Sequence, residues 1–415
     1  MLPENQNLTE TGKEKNSCSE KLELAGIDPK IISSLTKVYE NELFEKVIPF
    51  WEKYSPDKDN GGYFNCLDRD GWVYDNAKYI WLQARQVFIF SKLYRDVEPC
   101  QRWLDLARSG AVFLRNNARR EDGRVYFSLN AQGAPLSLQR KIFSECFYIM
   151  AFAEFGRASG EPEWLKLARE QFALVWEWAF DLTKVGRPVY SGETATRNLA
   201  IPMILLNLIE VLGDGDVEEY RVQIDDCVNG MLKHVHRDEE VVFENVGLDG
   251  EFINSSVGRH LNPGHAIEAG WFLQHWAQRL KRRDLSETAV DMVRWSHDRG
   301  WDQEFGGLFY FLDYLDYSPT QLEWNMKLWW PHCEALYGHL LNFSVTGDKE
   351  DWERFKTVHD YSFAHFPDPE FGEWYGYLDR RGEVTHRFKG GPYKGCFHVP
   401  RALWLVWRLL KRLKC

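Results

Sequence analysis

The sequence lacks the signatures of secretion, structural zinc and membrane insertion. Its 8 cysteines are scattered and form no Cys-x-x-Cys pair, so it has neither a zinc-site spacing nor the disulfide framework of a small secreted protein. The first residues, Met1 to Asn5, contain no apolar run of a signal peptide, and no stretch approaches the roughly 18 apolar residues of a membrane span. We therefore expect reduced thiols, a cytoplasmic protein, no metal site and no membrane partner.

Two further absences restrict the function. The net charge of -11 argues against nucleic acid as a partner, because nucleic-acid binding requires a basic face. There is no Gly-x-x-x-x-Gly-Lys-Ser/Thr loop and no Gly-x-Gly-x-x-Gly after a strand, so neither a P-loop nor a dinucleotide fold is indicated. No Ser or Cys nucleophile elbow is present either, which disfavours acyl transfer.

Aromatic residues, by contrast, are abundant, with 18 Trp, 18 Tyr and 26 Phe. A large helical core accounts for most of them, but aromatic walls also stack on polar, ring-shaped ligands such as sugars. Residues 1–24 are polar and low in aromatics, which predicts a disordered or weakly docked tail. From Pro29 the apolar residues recur every three or four positions and predict a first long helix. Residues 25–415 are predicted to form a single domain.

Six short aromatic, β-prone runs follow a glycine or a turn residue. They begin at Gly61, Gly123, Gly186, Val241, Gly306 and Gly372. Their starts are 55 to 66 residues apart, and several continue into Asp-Gly or Arg-Gly turns typical of β-hairpins. Two helices of ordinary length fit between successive runs. The pattern therefore predicts six helix pairs with six short hairpins.

The last helical stretch, Pro400 to Leu413, distinguishes an open array from a closed one. It is apolar over a broad face, whereas the terminal repeat of an open solenoid needs a polar cap. We predict an all-α protein, an (α/α)6 barrel built as a toroid of six helical hairpins, with the β-hairpin loops gathered at one rim of a central funnel. Arg408 and Lys411 would also suit a membrane-surface helix, but a helix C-terminus favours cations in any case.

Two loops rich in glycine and proline each deliver a histidine to the start of a helix, His265 and His398. The helix dipole would lower the pKa of His398 and keep it neutral, ready to accept a proton near pH 7. Simple helix capping is the competing interpretation. Glu268, three residues after His265 on the same helix face, would fix the tautomer of that imidazole. A His-x-x-Glu pair lacks the further ligands of a zinc site.

Two other stretches place polar groups among aromatics. Arg85 lies one helical turn after Trp81, where it is either an oxyanion donor or the partner of a core carboxylate. His332 and Glu334 follow two tryptophans, which suggests the wall of a site, although Glu334 could instead pair with a basic core residue. Two histidines, an arginine and carboxylates suit proton transfer better than acyl transfer.

Several segments together resemble the N-acylglucosamine 2-epimerase family, whose animal members are also called renin-binding proteins. The matching segments include Gly61-Gly62-Tyr63-Phe64, Tyr79 to Val87, Ile201-Pro202-Met203, Leu261-Asn262-Pro263-Gly264-His265, Gln321-Leu322-Glu323-Trp324, Lys327-Leu328-Trp329-Trp330-Pro331-His332, and Lys389 to Arg401. The resemblance runs from about Leu43 to Arg401, and the combination is far more specific than any single segment.

This resemblance implies a homodimer and the reversible interconversion of N-acetylglucosamine and N-acetylmannosamine in amino-sugar and sialic-acid metabolism. It also implies stimulation by ATP, or another nucleotide, without hydrolysis. The family's site arginine, first histidine, glutamate and last histidine correspond to Arg85, His265, Glu334 and His398, with Glu268 as the carboxylate that supports the first histidine. Substrate-binding or supporting roles are predicted for His332, Trp329, Tyr126 and Arg259, and a nucleotide loop is predicted at Lys184 and Arg187.

The implied chemistry removes the C2 proton of the open-chain sugar and returns a proton to the opposite face. Arg85 would stabilise the enediolate, and His265 and His398 would each act as base in one direction and as acid in the other. Which histidine serves which direction stays open. Two alternatives also stay open: an epimerase or aldose–ketose isomerase acting on another sugar, and a non-catalytic protein that binds a partner such as renin or another protease.

Overall fold

The computed structural model describes residues 21–414. The helices in chain order are α1 (Pro29–Asn41), a π-helical segment (Glu42–Val47), α2 (Ile48–Tyr54), α3 (Ile80–Asp96), α4 (Gln101–Asn117), α5 (Phe143–Ser159), α6 (Pro162–Ala179), a 3-10 turn (Leu182–Val185), α7 (Ala200–Gly213), α8 (Arg221–Leu232), α9 (Pro263–Leu280), α10 (Arg283–Gly300), α11 (Trp329–Thr346), α12 (Lys349–His365) and α13 (His398–Leu413). The strands are β1 (Cys66–Leu67), β2 (Val73–Asp75), β3 (Lys78–Tyr79), β4 (Ser128–Leu129), β5 (Pro135–Ser137), β6 (Arg197–Asn198), β7 (Val235–His236), β8 (Val241–Val242), β9 (Asn245–Val246), β10 (His260–Leu261), β11 (Leu312–Asp313), β12 (Lys327–Leu328), β13 (Tyr377–Leu378) and β14 (Val384–His386).

The helices form an inner and an outer layer. The inner helices α3, α5, α7, α9, α11 and α13 are buried over most of their length. An outer helix such as α4 buries only one stripe, which includes Trp103, Ala107, Ala111 and Leu114 at helical spacing. Five inner helices, α3, α5, α7, α9 and α11, each pack against the outer helix that follows in the chain. The apolar pattern thus separates helices that are covered on all sides from helices with one solvent face.

The inner ring closes between its first and last helices. Arg408 of α13 pairs with Asp96 at the end of α3 at 3.0 Å, and Lys92 of α3 lies 6.0 Å from the ring of Trp404. The N-terminal helix α1 packs on α13, so the two ends of the chain build the sixth pair. This arrangement confirms the predicted (α/α)6 barrel. In residues 21–414, no helix combines the length and apolar composition needed to cross a bilayer.

The strands are only two or three residues long, and several lead directly into inner helices. Strands β1–β2, β4–β5, β7–β8 and β13–β14 form antiparallel hairpins, whereas β3–β4, β6–β9, β10–β11 and β12–β13 pair strands of successive repeats. The prediction of a hairpin at Gly186 was wrong. Pro188 has no N–H to donate, and Val189 and Tyr190 are exposed in a loop. The short sheets gather the N-termini of the inner helices at one rim.

At three of the connections from an outer helix to the next inner helix, a buried ion pair joins the two ends of the connection. An aspartate just after an outer helix accepts hydrogen bonds from a following backbone N–H and from a fully buried lysine ahead of the next inner helix. The pairs are Asp57–Lys78 at 2.8 Å, Asp302–Lys327 at 3.1 Å and Asp368–Lys389 at 3.1 Å. Removing an aspartate would leave its buried lysine without a counter-charge, so these pairs hold the rim in place.

Most of the predicted N-terminal tail lies outside the described residues. Its last residues, 21–24, form a helical turn that docks on α11. The Lys21 Nζ donates to the carbonyl oxygens of Ser344 and Val345 at 2.6 and 3.0 Å, and Leu22 is buried. A cation at the C-terminus of a helix satisfies carbonyls that have no partner within the helix. Residues 21–24, which the sequence assigned to the tail, thus contact the barrel.

Candidate active site

The N-termini of α11 and α13 bring Glu334, His398 and Arg401 together. His398 is the first residue of α13, and its Nδ1 lies 2.7 Å from Glu334 Oε1. The Arg401 Nη2 donates to the same oxygen at 2.7 Å, and the Trp271 indole N–H donates to Oε2 at 3.0 Å. Because the carboxylate accepts the Nδ1 proton, Nε2 of His398 is the nitrogen that carries a free lone pair in the neutral ring.

The protonation of His398 follows from its surroundings. Burial lowers its pKa well below the ordinary value, and the nearby charges of Arg85 and Arg401 lower it further. The direction of this shift is the one expected from the sequence, and its largest cause is burial.

The second histidine, His265, lies in the first turn of α9. Asn262 caps this helix by accepting a hydrogen bond from the His265 backbone N–H at 3.2 Å. The imidazole Nδ1 is 3.1 and 3.2 Å from the two carboxylate oxygens of Glu244, which follows strand β8. Burial acts to lower the pKa of His265, but the charges of Glu244, Glu268 and Glu334 outweigh it and raise the pKa above the ordinary value. The pKa values of the two histidines are thus shifted in opposite directions.

Arg85, in the second turn of α3, is a buried cation in an aromatic cage. Its guanidinium carbon lies 4.7 Å from the ring centroid of Trp81, 4.0 Å from Phe147 and 4.9 Å from Phe397. Its Nε is buried without a hydrogen-bond partner, and no carboxylate of residues 21–414 forms an ion pair with it. Burial lowers its pKa. An unpaired buried donor of this kind is suited to an oxygen of a bound ligand.

One indole contacts both histidines. The Trp330 ring centroid is 5.3 Å from that of His265 and 5.8 Å from that of His398. The predicted residue Trp329 instead packs on Tyr377 at 5.3 Å. Because adjacent residues of a helix point in different directions, the Trp329-Trp330 pair could not be resolved from sequence spacing.

Glu268 was predicted to bind His265, and this prediction was wrong because Glu268 binds Arg401 instead. Its carboxylate accepts from Arg401 Nη2 at 2.5 Å rather than holding His265, whose Nδ1 is bound by Glu244. Glu268 still acts on His265 through its charge. The ligand atoms of Glu268, Glu334 and His398 lie within 4.8 Å of one another, and the Arg401 guanidinium contacts all three. A guanidinium therefore occupies the position at which a metal ion would have to bind.

Several predicted supporting residues have other partners. His332 is fully buried, with Nε2 accepting from the Leu308 N–H at 2.9 Å and Nδ1 bonded to the Leu328 carbonyl at 2.6 Å, so both ring nitrogens hold backbone rather than a ligand. Arg259 pairs with Asp313 at 3.0 Å. Tyr126 is half-buried, and within residues 21–414 no hydrogen bond or ring contact connects it to either histidine.

The predicted nucleotide loop is exposed. Lys184 pairs with Glu177 at 2.6 Å, and Arg187 pairs with Glu193 at 2.8 Å. Phosphate binding at these cations would have to compete with carboxylates that already neutralise them.

Sequence reasoning missed two charged residues of the site. Arg401 follows His398 by three residues and so shares its helix face, a signal that was available. Glu244 lies 21 positions before His265, between β8 and β9, and contacts its ring. This contact joins two different elements of the chain, and local periodicity does not reveal it.

The arrangement can transfer protons at carbon. A neutral imidazole with a free Nε2 is a base, a charged imidazole is an acid, and a buried arginine stabilises the oxyanion that forms between the two steps. Aromatic rings around the arginine exclude water and strengthen its field.

The chain was compared with known proteins. The family model for N-acylglucosamine 2-epimerase (GlcNAc 2-epimerase) matches residues 62–402. The N-acylglucosamine 2-epimerase of Rattus norvegicus is 46% identical over 378 residues, which cover 89% of this chain and 90% of that protein. The structure of cellobiose 2-epimerase from Spirochaeta thermophila has a TM-score of 0.78 at 22% identity and covers 92% of this chain and 98% of its own. A D-mannose isomerase structure has a TM-score of 0.77 at 20% identity, covering 90% of this chain and 97% of its own. The two structures show the barrel, and the family model with the rat relative shows that this chain belongs to the N-acylglucosamine 2-epimerase family.

Proposed function

We propose that this protein interconverts N-acetylglucosamine and N-acetylmannosamine by removing and returning the proton at C2 of the open-chain sugar. One observation carries the proposal: two histidines, each bound through Nδ1 to a carboxylate, pack against the same indole near a buried arginine that forms no ion pair within residues 21–414. Each histidine keeps its Nε2 for a substrate. Family membership identifies the class of substrate.

The opposite pKa shifts of the two histidines suggest the order of events in one direction. Neutral His398 takes the C2 proton, and the electron pair of the broken C–H bond moves through C1 onto O1 to form an enolate, because C2 of these sugars carries an acetamido nitrogen rather than a hydroxyl. Arg85 donates hydrogen bonds to the developing charge, and electrostatic stabilisation of this kind is often the largest catalytic contribution. Protonated His265 then delivers a proton to the other face of C2. The reverse reaction uses the same groups with exchanged roles, and each well-placed acid or base contributes about 10²- to 10⁴-fold.

The test is a product analysis. Purified protein is incubated with either N-acetyl sugar and, separately, with glucose, mannose and cellobiose, and the products are followed by NMR. The proposal requires interconversion of the two N-acetyl sugars, whose equilibrium mixture must be the same from both sides. Turnover of a different sugar alone, or formation of a ketose, would favour the other-sugar alternatives.

Matched variants identify the site responsible. His398→Asn and His265→Asn should each remove most turnover while keeping the fold, because an amide forms hydrogen bonds but does not exchange a proton at carbon. His236→Asn is the control, since His236 lies in β7 and binds the Gly250 carbonyl through Nε2. Loss of turnover in the control to the same extent would show that the substitutions act through the fold.

The proposal extends to regulation and assembly. Nucleotide activation without hydrolysis and a homodimer are motivated by the family. Adding ATP should raise turnover without forming ADP, and light scattering should give twice the mass of the 48.8 kDa chain. A monomer with full activity would contradict the dimer.

A further inference from the structure

The carboxylates that bind the two histidines differ in their own charge balance. Glu334 accepts from Arg401 as well as from His398, so a cation compensates it. Glu244 accepts from His265 and from the neutral Asn198 amide at 3.1 Å. Within residues 21–414, no lysine or arginine forms an ion pair with Glu244. The two histidine–carboxylate pairs are therefore alike in geometry and unlike in electrostatics.

Glu244 is held in place from two sides. It lies between β8 and β9 and is only 5% exposed. Its backbone oxygen accepts from the Leu199 N–H at 2.9 Å, while Asn198 is fixed by the pairing of β6 with β9 and by accepting from the Ala200 N–H at 3.0 Å. These hydrogen bonds hold the carboxylate beside the imidazole. It fixes the His265 ring so that Nε2 is the nitrogen left for a substrate.

We infer that Glu244 is a positioning residue that keeps His265 in its protonated form, and so assigns His265 as the acid when His398 acts as the base. This inference rests on the proposed function, and it names the residue that makes the protonation of the two histidines differ. An arginine paired with Glu244 would offset the charge that raises the pKa of His265, and the difference between the two rings would shrink.

The other charged groups around the histidines act in the same sense. His265 faces Glu244 from the β8–β9 segment, Glu268 from its own helix and Glu334 from α11, with His260 of β10 and His398 of α13 as the titratable neighbours. His398 faces the two cations of Arg85 and Arg401. Among these groups, Glu244 is the one that contacts the His265 ring directly, so its charge has the strongest effect on the proton.

This asymmetry predicts the shape of the pH profile. The reactive enzyme carries one proton shared between the two histidines. This reactive form disappears at low pH, where His398 is also protonated, and at high pH, where His265 is deprotonated. The dependence of kcat/KM on pH is therefore bell-shaped. The two limbs report apparent pKa values of the coupled pair of histidines rather than of either residue alone. The profile has the same shape in both directions of reaction, because the equilibrium constant fixes the ratio of the forward and reverse kcat/KM values.

Glu244→Gln tests the inference because it removes the charge and keeps the size. The alkaline limb of kcat/KM should move to lower pH by about 1–3 units, the range by which a neighbouring opposite charge shifts a pKa. The acid limb should stay in place. Turnover at neutral pH should fall by about 10²-fold, the size of one acid–base contribution. Glu251→Gln, an exposed carboxylate in the turn after β9, should leave the whole profile unchanged.

Glu244→Asp separates charge from position. The shorter carboxylate keeps the charge, so the alkaline limb should remain near that of the wild type even if the rate falls. A residue with a purely structural role would lower the rate at all pH values in both variants and leave the limbs unmoved, and that result would overturn the inference. If Glu244→Gln does not fold, the Asp variant and the direct titration of His265 decide the question.

The direct titration uses ¹³Cε1-labelled histidine, with His265→Asn to assign the signal. His265 of the wild type should titrate above the ordinary value near 6.5, and Glu244→Gln should lower its midpoint. An unchanged midpoint would refute the inference even in an active enzyme. If the wild type epimerises no sugar, the proposed function fails, whereas the titration still reports whether Glu244 controls the proton of His265.

Discussion

Replacing Arg85 by methionine separates two readings of a buried arginine. If Arg85 balanced a buried carboxylate, its removal would strand that charge. The structure instead places the guanidinium among Trp81, Phe147 and Phe397, with Nε unpartnered and no ion pair within residues 21–414. Methionine has a similar length, fits between aromatic rings and carries no charge. We expect Arg85→Met to fold normally and to lose turnover.

The magnitudes favour this result. Stranding a buried partner costs about 3 to 5 kcal/mol, which is a large part of the stability of a protein domain. Removing a buried cation that has no ion pair instead loses a cation–π attraction of about 0.5 to 2 kcal/mol for a contact. It also removes the desolvation cost of the charge, which is several kcal/mol and destabilises the folded state. The melting temperature should therefore stay the same or rise. Turnover should fall by about 10²- to 10³-fold, as for one lost oxyanion donor.

The assay measures thermal unfolding and turnover of the same preparations. Arg85→Lys is the companion variant, because it keeps the charge but not the planar fork that holds two oxygens at once. Both variants should melt near the wild-type temperature and be strongly impaired. A fall of several kcal/mol in stability with normal turnover of the folded fraction would refute the reasoning.

Three further predictions concern other groups. Glu334→Gln should lower turnover and destabilise the fold by about 1 to 3 kcal/mol, because Arg401 and the Trp271 N–H lose their charged acceptor; unchanged urea midpoints would contradict this. Burial lowers the pKa of His332 to about 3 and of His297 to about 4. As the pH falls below about 6.5, these histidines take up protons in the unfolded chain but not in the folded protein. Each of the two should therefore lower the free energy of unfolding by about 1.4 kcal/mol per pH unit until its folded pKa is reached. Equal urea midpoints at pH 7 and 5 would exclude this linkage. ATP at 100 times its dissociation constant should stabilise the protein by roughly 2.7 kcal/mol. Replacing both Lys184 and Arg187 by alanine should abolish that shift, and a full shift in this double variant would place the nucleotide elsewhere.

The fold could be predicted because its signals are local. Apolar spacing, repeated turn residues and an apolar last helix all act within one element or one repeat. The loop at Gly186 was mistaken for a hairpin because Val189-Tyr190 has strand character but no partner strand. Propensity does not report the availability of a partner.

The candidate site could be predicted where its residues lie at the N-termini of inner helices. Arg85, His265, Glu334 and His398 all do, and the barrel brings these ends together. The contacts among them were less accessible. Glu268 and Glu244 are both carboxylates that could bind His265, and Glu244, 21 positions away in the sequence, is the one that contacts the ring. Contacts of this kind are fixed by tertiary packing rather than by spacing along the chain.

The central claim is that two histidines exchange the C2 proton from opposite faces. Its most direct test is deuterium incorporation from D₂O by His265→Asn and His398→Asn, measured by NMR on each N-acetyl sugar separately. Each variant keeps one base, so each should exchange the C2 proton of one epimer without epimerising it, and the two variants should act on different epimers. Epimerisation at near wild-type rate by either variant, or exchange of the same epimer by both, would contradict the two-histidine account.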